Sequence, residues 1–168
     1  MDKALFIIDM QEIYVGRGRN VDKYRYDSDS LIDSINKKIA QYANEEVFYF
    51  IGIAKGLGGM LGSFPKAGTH EAKLVERLKV INKNIYERSK LDIFSSDEVV
   101  DMLRARHIKE VELVGADINT SICTAAVTAT NDLKVDVIFN HACMVSNSPD
   151  KSVKMREKIK RNRVIFID

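Results

Sequence analysis

The sequence predicts an α/β fold with three layers, in which helices cover both faces of a six-stranded, mostly parallel sheet. Two observations carry this prediction. Short apolar runs of the length of buried strands recur along the whole chain, and segments with helical spacing lie between them. A crossover between parallel strands is right-handed, so repeated alternation favours helices on both faces of the sheet. The 168 residues, 45% of them hydrophobic, suffice for one domain, which we expect to span residues 1–168.

The predicted strands begin with Ala4 to Ile8, a continuous apolar run that ends at Asp9. An unbroken run of this kind is typical of a strand that is buried on both faces of its sheet. Five further strands are expected, at Val47 to Ile53, Val80 to Tyr86, Val111 to Val114, Val135 to Phe139 and Val164 to Ile167.

The predicted helices lie between these strands. Ser95 and Glu98 form a capping box, which predicts a helix that ends near His107. Other helices are expected from about Thr69 to Leu78, from Thr120 to Leu133, and after the Ser148-Pro149 pair. An amphipathic helix is expected after residues 27–30, because apolar side chains recur there at helical spacing: Leu31, Ile32, Ile35, Ile39 and Tyr42.

The composition excludes several classes of protein. The 26 basic and 24 acidic residues give a formal net charge of +2, which provides no reason to expect a nucleic-acid partner. No apolar run approaches the ~20 residues that a membrane span needs. Met1-Asp2-Lys3 leads straight into a strand, so we expect no signal peptide. The two cysteines, Cys123 and Cys143, fit a reducing cytoplasm better than a disulfide-bonded secreted domain.

Four glycines follow the second predicted strand, at Gly56, Gly58, Gly59 and Gly62. Their spacing matches neither G-x-G-x-x-G nor a P-loop. We therefore expect this segment to be a mobile flap over a ligand-binding pocket rather than a phosphate-binding loop.

Polar side chains follow three of the predicted strands. Asp9 comes directly after the first strand, Arg88 and Lys90 follow the third, and the turn from Gly115 to Ser121 follows the fourth and opens a helix. Ligands of open parallel sheets bind beyond the carboxyl ends of the strands, where these residues are expected. A carboxylate that takes a proton, a cation that stabilises charge and a hydroxyl at a helix start would make a nucleophilic site. The same spacing also allows a turn-forming Asp, a capping Ser and a solvated Arg.

Four segments resemble the isochorismatase-like hydrolases, a family that also holds nicotinamidases and other amidohydrolases. Ala4 to Gln11 resembles the opening strand of that family, and Ala67-Gly68-Thr69 is similar to its Gly-Thr segment before a helix. Ile85 to Phe94 resembles the stretch that bears the family's lysine, and Val111 to Ala126 resembles its strand, turn and nucleophile helix. The resemblance implies an isochorismatase-like α/β fold, a small-molecule substrate and assembly into homo-oligomers, as dimers or larger.

The family's chemistry, as the resemblance implies it, depends on an Asp, a Lys and a Cys, and a non-proline cis peptide commonly precedes the nucleophile turn. Asp9 matches the aspartate, the lysine position falls on Arg88, and the cysteine position falls on Ser121. A shifted alignment would instead use Lys90 and Cys123, where Cys123 is the alternative nucleophile. Serine is a weaker nucleophile than a thiolate, and arginine cannot give up its proton.

Further site residues are expected around these three positions. Candidates to bind substrate are Gln11, Arg17, Arg19, Lys90 and Asp117, and candidates to form the nucleophile turn and its oxyanion hole are Asp117, Ile118 and Ser121. No metal and no cofactor is expected. The position after the second strand, where nicotinamidase-type relatives place an Asp and histidines, reads Ile51 to Lys55 and offers neither a carboxylate nor an imidazole.

Two functions remain open at this point. The chain is either a hydrolase of a small amide or vinyl-ether-type substrate with an Asp-Arg-Ser site in place of Asp-Lys-Cys, or a non-catalytic relative that binds a ligand or a partner. The preserved Asp9 favours the first function, since a buried carboxylate is costly without a role or a partner. The altered Lys and Cys positions favour the second.

Overall fold

The computed structural model describes residues 1–55, 64–148, 150–151, 153–154 and 164–167. Its sheet has the strand order β3-β2-β1-β4-β5-β6, and all neighbouring strands run parallel. The predicted six-stranded parallel sheet is therefore confirmed. The strands are β1 (Lys3–Ile8), β2 (Val47–Gly52), β3 (Ile85–Arg88), β4 (Glu110–Gly115), β5 (Asp136–Met144) and β6 (Val164–Ile167).

The helices of the described residues pack on both faces of this sheet. The four that lie between β1 and β5 are α1 (Glu12–Val15), α2 (Ser28–Ile39), α3 (Asp97–Ala105) and α4 (Cys123–Asn131). A π-helical turn, Ile118–Ile122, leads directly into α4. Asp27 caps α2, because its Oδ1 accepts a hydrogen bond of 3.1 Å from the backbone N–H of Ser30. No helix among the described residues has the length and apolar character that crossing a membrane requires.

Two apolar cores lie on opposite faces of the sheet, and β1 contributes to both. Phe6 and Ile8 pack with α3 and α4 on one face, whereas Leu5 and Ile7 pack with α2 on the other. All four side chains are fully buried. This two-sided burial explains why β1 is a continuous apolar run in the sequence.

The prediction of a helix from Thr69 to Leu78 is wrong. Only a short 3-10 turn, His70–Ala72, forms there. The chain then runs extended, since the Val75 N–H donates to the Met10 carbonyl at 2.9 Å and Leu74 pairs with Gln11 in an antiparallel bridge. Backbone hydrogen bonds to a neighbouring segment thus replace those of a helix.

Several element boundaries also differ from prediction. The Ser95 capping box is absent, because Ser95 lies in a 3-10 turn and α3 begins at Asp97. Strand β3 begins at Ile85 rather than Val80, and β5 continues beyond Phe139 to Met144. Pro149 and the glycine-rich segment predicted to be a flap lie outside the described residues, although Asp150, Lys151, Val153 and Lys154 are helical as expected.

Candidate active site

Three side chains converge at the carboxyl ends of β1, β3 and β4. Asp9 follows β1, Arg88 ends β3, and Ser121 lies in the π-helical turn after β4. Strand β2 separates β3 from β1, a gap of two strand spacings or about 10 Å, so a long side chain is needed to cross it. The Arg88 side chain makes this crossing and contacts both Asp9 and Ser121.

Asp9, Arg88 and Ser121 form a closed hydrogen-bonded triangle. The Ser121 hydroxyl donates to Oδ2 of Asp9 at 2.8 Å. Nη2 of Arg88 donates to Oγ of Ser121 at 2.8 Å and also to Oδ2 of Asp9. All three side chains are buried. The proton of the hydroxyl therefore points at a carboxylate, and its oxygen already accepts from a cation.

The Arg88 guanidinium is fixed on its other sides as well. Nη1 donates to the carbonyl oxygens of Lys90 and Leu91, the second at 3.0 Å. Its Cζ atom lies 4.6 Å from the centroid of the Phe64 ring. These carbonyls, the carboxylate and the aromatic face hold the guanidinium in one orientation. In that orientation its Nη2 faces Ser121.

Burial raises the pKa of the Asp9 carboxyl above its ordinary value, against the opposing effects of the Arg88 charge and the Ser121 hydrogen bond. Both of these contacts use Oδ2, so Oδ1 takes no part in them. The carboxylate of Asp9 is consequently a stronger base than a solvated aspartate, and it faces the proton of Ser121.

A pocket of about 170 Å³ opens on Asp9 and Ser121. Its wall is aromatic, with Tyr14, Tyr24 and Tyr26 on the segment that follows β1. A larger depression of about 390 Å³ lies beside it, but none of the three converging side chains lines that depression. The smaller pocket is therefore the candidate active site.

Gln11 was predicted to bind substrate, but in the structure its side chain is held by backbone groups of other segments. Its Nε2 donates to the carbonyls of Gly52 and Ala72 at 3.1 and 2.8 Å, and its Oε1 accepts from the Gly52 N–H at 2.8 Å. The side chain is fully buried, and no polar atom remains to face the pocket. Gln11 ties the ends of β1 and β2 together.

The remaining predicted cations do not line the candidate active site. Arg19 donates to the carbonyls of Gly16, Tyr24 and Tyr26, at 3.3, 3.3 and 3.1 Å, and so holds the tyrosine segment in place. Arg17 is exposed and lines a different depression, and the exposed Lys90 offers its carbonyl to Arg88. The structure thus places these three predicted substrate ligands at structural or surface positions outside the pocket.

The turn after β4, which was predicted to bear the nucleophile, lies beside the pocket. The Ala116–Asp117 peptide is cis, in agreement with the resemblance. Asp117 lines the pocket, and its two carboxylate oxygens accept from the N–H groups of Asn119 and Asn147 at 2.8 and 3.0 Å. Ile118 cannot supply an oxyanion donor as predicted, because its N–H donates to the Val145 carbonyl at 3.0 Å.

Cys123 lies outside the pocket. It is fully buried in the apolar core, and burial raises the pKa of its thiol to about 12. A protonated thiol surrounded by apolar side chains is not a nucleophile. The alternative pair of Lys90 and Cys123 is therefore not assembled, and the structure brings Arg88 and Ser121 to Asp9 instead.

The tyrosine wall and Lys23 were missed at the level of sequence. Tyr14, Lys23, Tyr24 and Tyr26 all line the pocket. The available signal was the concentration of three tyrosines within the segment that follows β1, on the ligand side of the sheet.

A family model described as the isochorismatase domain matches residues 3–167. The chain belongs to the isochorismatase family. The predicted family is thus confirmed, and the three predicted catalytic positions lie within the matched region. No curated protein matches the sequence.

Solved structures share the fold over nearly the whole chain. An isochorismatase-like hydrolase from Alkaliphilus metalliredigens is 14% identical, with a TM-score of 0.83 over 99% of this chain and 94% of that chain. A nicotinamidase from Bacillus subtilis is 19% identical, with a TM-score of 0.81 over 100% of both chains. An N-carbamoylsarcosine amidase from Thermoplasma acidophilum is 16% identical, with a TM-score of 0.77 over 99% and 95%. At these identities the likeness establishes the fold.

The residues present do not fit the metal ion that the resemblance to nicotinamidase-type proteins implies after the second strand. Ile53 and Ala54 follow β2 here. Within the described ranges of the chain, no group of three or more His, Cys, Asp or Glu side chains could hold a metal ion. Because a metal site needs several such ligands, no metal-assisted step is assigned to this pocket.

Proposed function

We propose that this chain is a hydrolase of a small amide or vinyl-ether-type substrate, with Ser121 as nucleophile, Asp9 as base and Arg88 as the stabilising cation. One observation carries the proposal: the Ser121 hydroxyl donates to Asp9 and accepts from Arg88 beside a pocket of about 170 Å³. The names of two structural neighbours, a nicotinamidase and an N-carbamoylsarcosine amidase, support amides as the substrate class.

For an amide, the first step is attack of Oγ of Ser121 on the carbonyl carbon. Asp9 takes the hydroxyl proton, and Nη2 of Arg88 stabilises the negative charge that develops on Oγ before the bond forms. Protonated Asp9 then returns the proton to the leaving nitrogen as the C–N bond breaks. Water hydrolyses the resulting ester on Ser121, with Asp9 again as base, and the free hydroxyl is restored.

Asp9 has to perform both proton transfers, because an arginine keeps its proton at every working pH. The buried environment suits it to this double role. The raised pKa makes the carboxylate a better base, and it brings the protonated form closer to neutral pH. Hydroxyl in place of thiol slows the attack, so we expect turnover slower than that of a cysteine hydrolase.

A vinyl-ether-type substrate would need no covalent step. Protonated Asp9 would give its proton to the terminal carbon of the double bond. Water held beside Ser121 would then add to the carbon attached to oxygen and return one proton to the Asp9 carboxylate. Breakdown of that adduct releases a carbonyl compound and an alcohol. Only Asp9 is essential in this route, which distinguishes it experimentally from the amide route.

The test is hydrolysis of a panel of small amides, esters and enol ethers by the natural chain and by three variants. Ser121→Ala and Asp9→Asn should each lower amide hydrolysis at least about a hundredfold, and Cys123→Ala should leave it unchanged. Mass spectrometry of the quenched reaction should find the acyl group on the peptide that contains Ser121. Unchanged activity in Asp9→Asn would remove the mechanism, whichever substrate was used.

A specific observation also favours the second candidate, a non-catalytic ligand-binding or partner-binding module. The Arg88 guanidinium is held by the carbonyls of Lys90 and Leu91 as well as by Asp9, and a buried pair of this kind can be retained as an internal ion pair. The discriminating variant is Ser121→Cys with Arg88→Lys. If the natural chain hydrolyses nothing and the double variant gains amide hydrolysis, the binding function stands.

Assembly and location belong to the same proposal. We expect homo-oligomers, dimers or larger, because the family resemblance implies them, and a strict monomer by light scattering at micromolar concentration would contradict this.

Both cysteines are free thiols, which supports a reducing, cytoplasmic location. Fluorescent tagging of the full chain tests that location.

A further inference from the structure

Lys23 occupies a distinctive position at the candidate active site. It lines both the 170 Å³ pocket and the neighbouring depression. Its Nζ lies 5.2 Å from the centroid of the Tyr24 ring, and Tyr24 itself forms part of the pocket wall. The ammonium group therefore stands at the rim of the pocket, above an aromatic face.

The backbone around Lys23 is ordered by two side chains. Oδ1 of Asn20 accepts from the N–H groups of Asp22 and Lys23, each at 3.0 Å, and the Asn20 carbonyl accepts from the Tyr24 N–H at 2.8 Å. Arg19 holds the carbonyl of Tyr24 from the other side at 3.3 Å. These contacts present Lys23 and Tyr24 to the pocket in one arrangement.

Lys23 also brings to this pocket a positive charge that has no ion-pair partner among the described residues. Asp9 is paired with Arg88, and the oxygens of Asp117 accept from two backbone N–H groups. Among the residues that the structure describes, no carboxylate lies within ion-pair distance of the Lys23 ammonium. An incoming anionic group would supply the missing partner.

The pocket's size limits what else the ligand carries. A cavity of about 150 Å³ in another protein holds one benzene molecule, and the volume here is about 170 Å³. The wall of Tyr14, Tyr24 and Tyr26 suits a flat ring. Tyr14 and Tyr24 meet edge to face at 5.5 Å between ring centroids, which gives the wall a defined shape.

We propose that Lys23 determines specificity, by binding the anionic group of a single-ring acid derivative whose reacting bond lies at Ser121. The reaction of this compound at Ser121 rests on the proposed hydrolase function, but its binding at Lys23 does not. An aromatic wall alone also attracts cations, which makes a cationic ring compound the competing ligand class. The ammonium of Lys23 beside Tyr24 repels such a compound and attracts its anionic counterpart.

The experiment compares three probes of one ring each: benzoate, neutral benzamide and the benzyltrimethylammonium cation. Titration of the full chain by NMR should show benzoate binding about tenfold more tightly than benzamide, with the cation weakest. Lys23→Met keeps the alkyl chain over Tyr24 and should abolish the preference for benzoate, whereas Lys23→Arg should retain it. Arg25→Gln is the matched control, since it removes one positive charge from the exposed side of the same segment and should change nothing.

Each other outcome overturns the proposal. Equal binding of benzoate and benzamide, preference for the cation, absence of benzoate binding, or an undiminished preference in Lys23→Met would do so.

None of these results bears on turnover, so hydrolysis of neutral amides could still establish the hydrolase. Conversely, benzoate binding that depends on Lys23 in a chain that hydrolyses nothing would support this proposal and remove the hydrolase function. With an anionic substrate, Lys23→Met should raise KM about tenfold and leave kcat nearly unchanged.

Discussion

Oγ of Ser121 lies within 2.8 Å of Oδ2 of Asp9, although the two residues are 112 positions apart in the chain. Strands β1 and β4 are neighbours in the sheet, and Ile8 at the end of β1 pairs with Gly115 at the end of β4. Asp9 then turns with a φ of 56°, a left-handed conformation that aspartate tolerates. The contact is therefore a consequence of sheet pairing and two tight turns.

The first prediction concerns stability. Asp9→Ala should lower the free energy of unfolding by about 3–5 kcal/mol, because it leaves the buried Arg88 guanidinium without a counter-charge. Urea unfolding measures this loss. Asp9→Ala combined with Arg88→Met should recover part of it, since both charges are then gone.

A surface pair provides the matched control for that measurement. Asp29 pairs with Arg77, and both side chains are exposed, at 68% and 36%. Asp29→Ala should cost far less than Asp9→Ala, because water screens an exposed pair. Equal losses in the two variants would show that Asp9 and Arg88 do not form a buried pair.

The second prediction concerns the pH dependence of hydrolysis. Asp9 must be deprotonated to take the proton of Ser121, so kcat/KM should rise with pH as Asp9 ionises. Burial raises the pKa of Asp9, and the midpoint of this rise should lie above the ordinary range of an aspartate. A pH–rate profile of an amide or ester substrate measures it, and a flat acid side would exclude Asp9 as the base.

The third prediction concerns the two thiols. Burial raises the pKa of Cys123 to about 12 and that of Cys143 to about 11, so both thiols stay protonated at pH 8. Iodoacetamide at pH 8 should leave the folded chain unlabelled and should add two groups after unfolding in urea. Rapid labelling of Cys123 in the folded chain would restore it as a nucleophile candidate.

The fourth prediction concerns Gly115, which precedes the nucleophile turn. Its φ is +124°, and a Cβ added there would lie 2.0 Å from the Ile8 carbonyl oxygen. Gly115→Ala should therefore lower the free energy of unfolding by about 2 kcal/mol or more. Gly18→Ala is the control, because a Cβ there meets nothing within 4 Å, and its thermal midpoint should stay unchanged or rise.

Local patterns predicted most of the sheet and failed where neighbouring segments compete. Strand β6 was predicted with its observed limits, Val164 to Ile167, and β1 within one residue at its start. The helix expected after Thr69 did not form, because Met10 and Gln11 offer that segment backbone partners that a periodicity argument does not include.

The α/β class, the parallel sheet and the resemblance to the isochorismatase family could all be predicted from the sequence. Buried strands and the helices between them leave apolar patterns that are local, and the crossover rule converts their order into topology. Those patterns also placed Asp9, Arg88 and Ser121 after strands, where ligands of such sheets bind.

The role of each polar side chain, in contrast, became clear only from the folded chain. Gln11 and Arg19 were predicted to bind a ligand, but their side chains donate hydrogen bonds to backbone carbonyls of other segments. Lys23 and the tyrosines line the pocket instead. Arg88 rather than Lys90 reaches Asp9, and Ser121 rather than Cys123 faces it. Hydrogen-bond partners and burial depend on segments that meet only after folding, so the sequence pattern around one residue does not contain them.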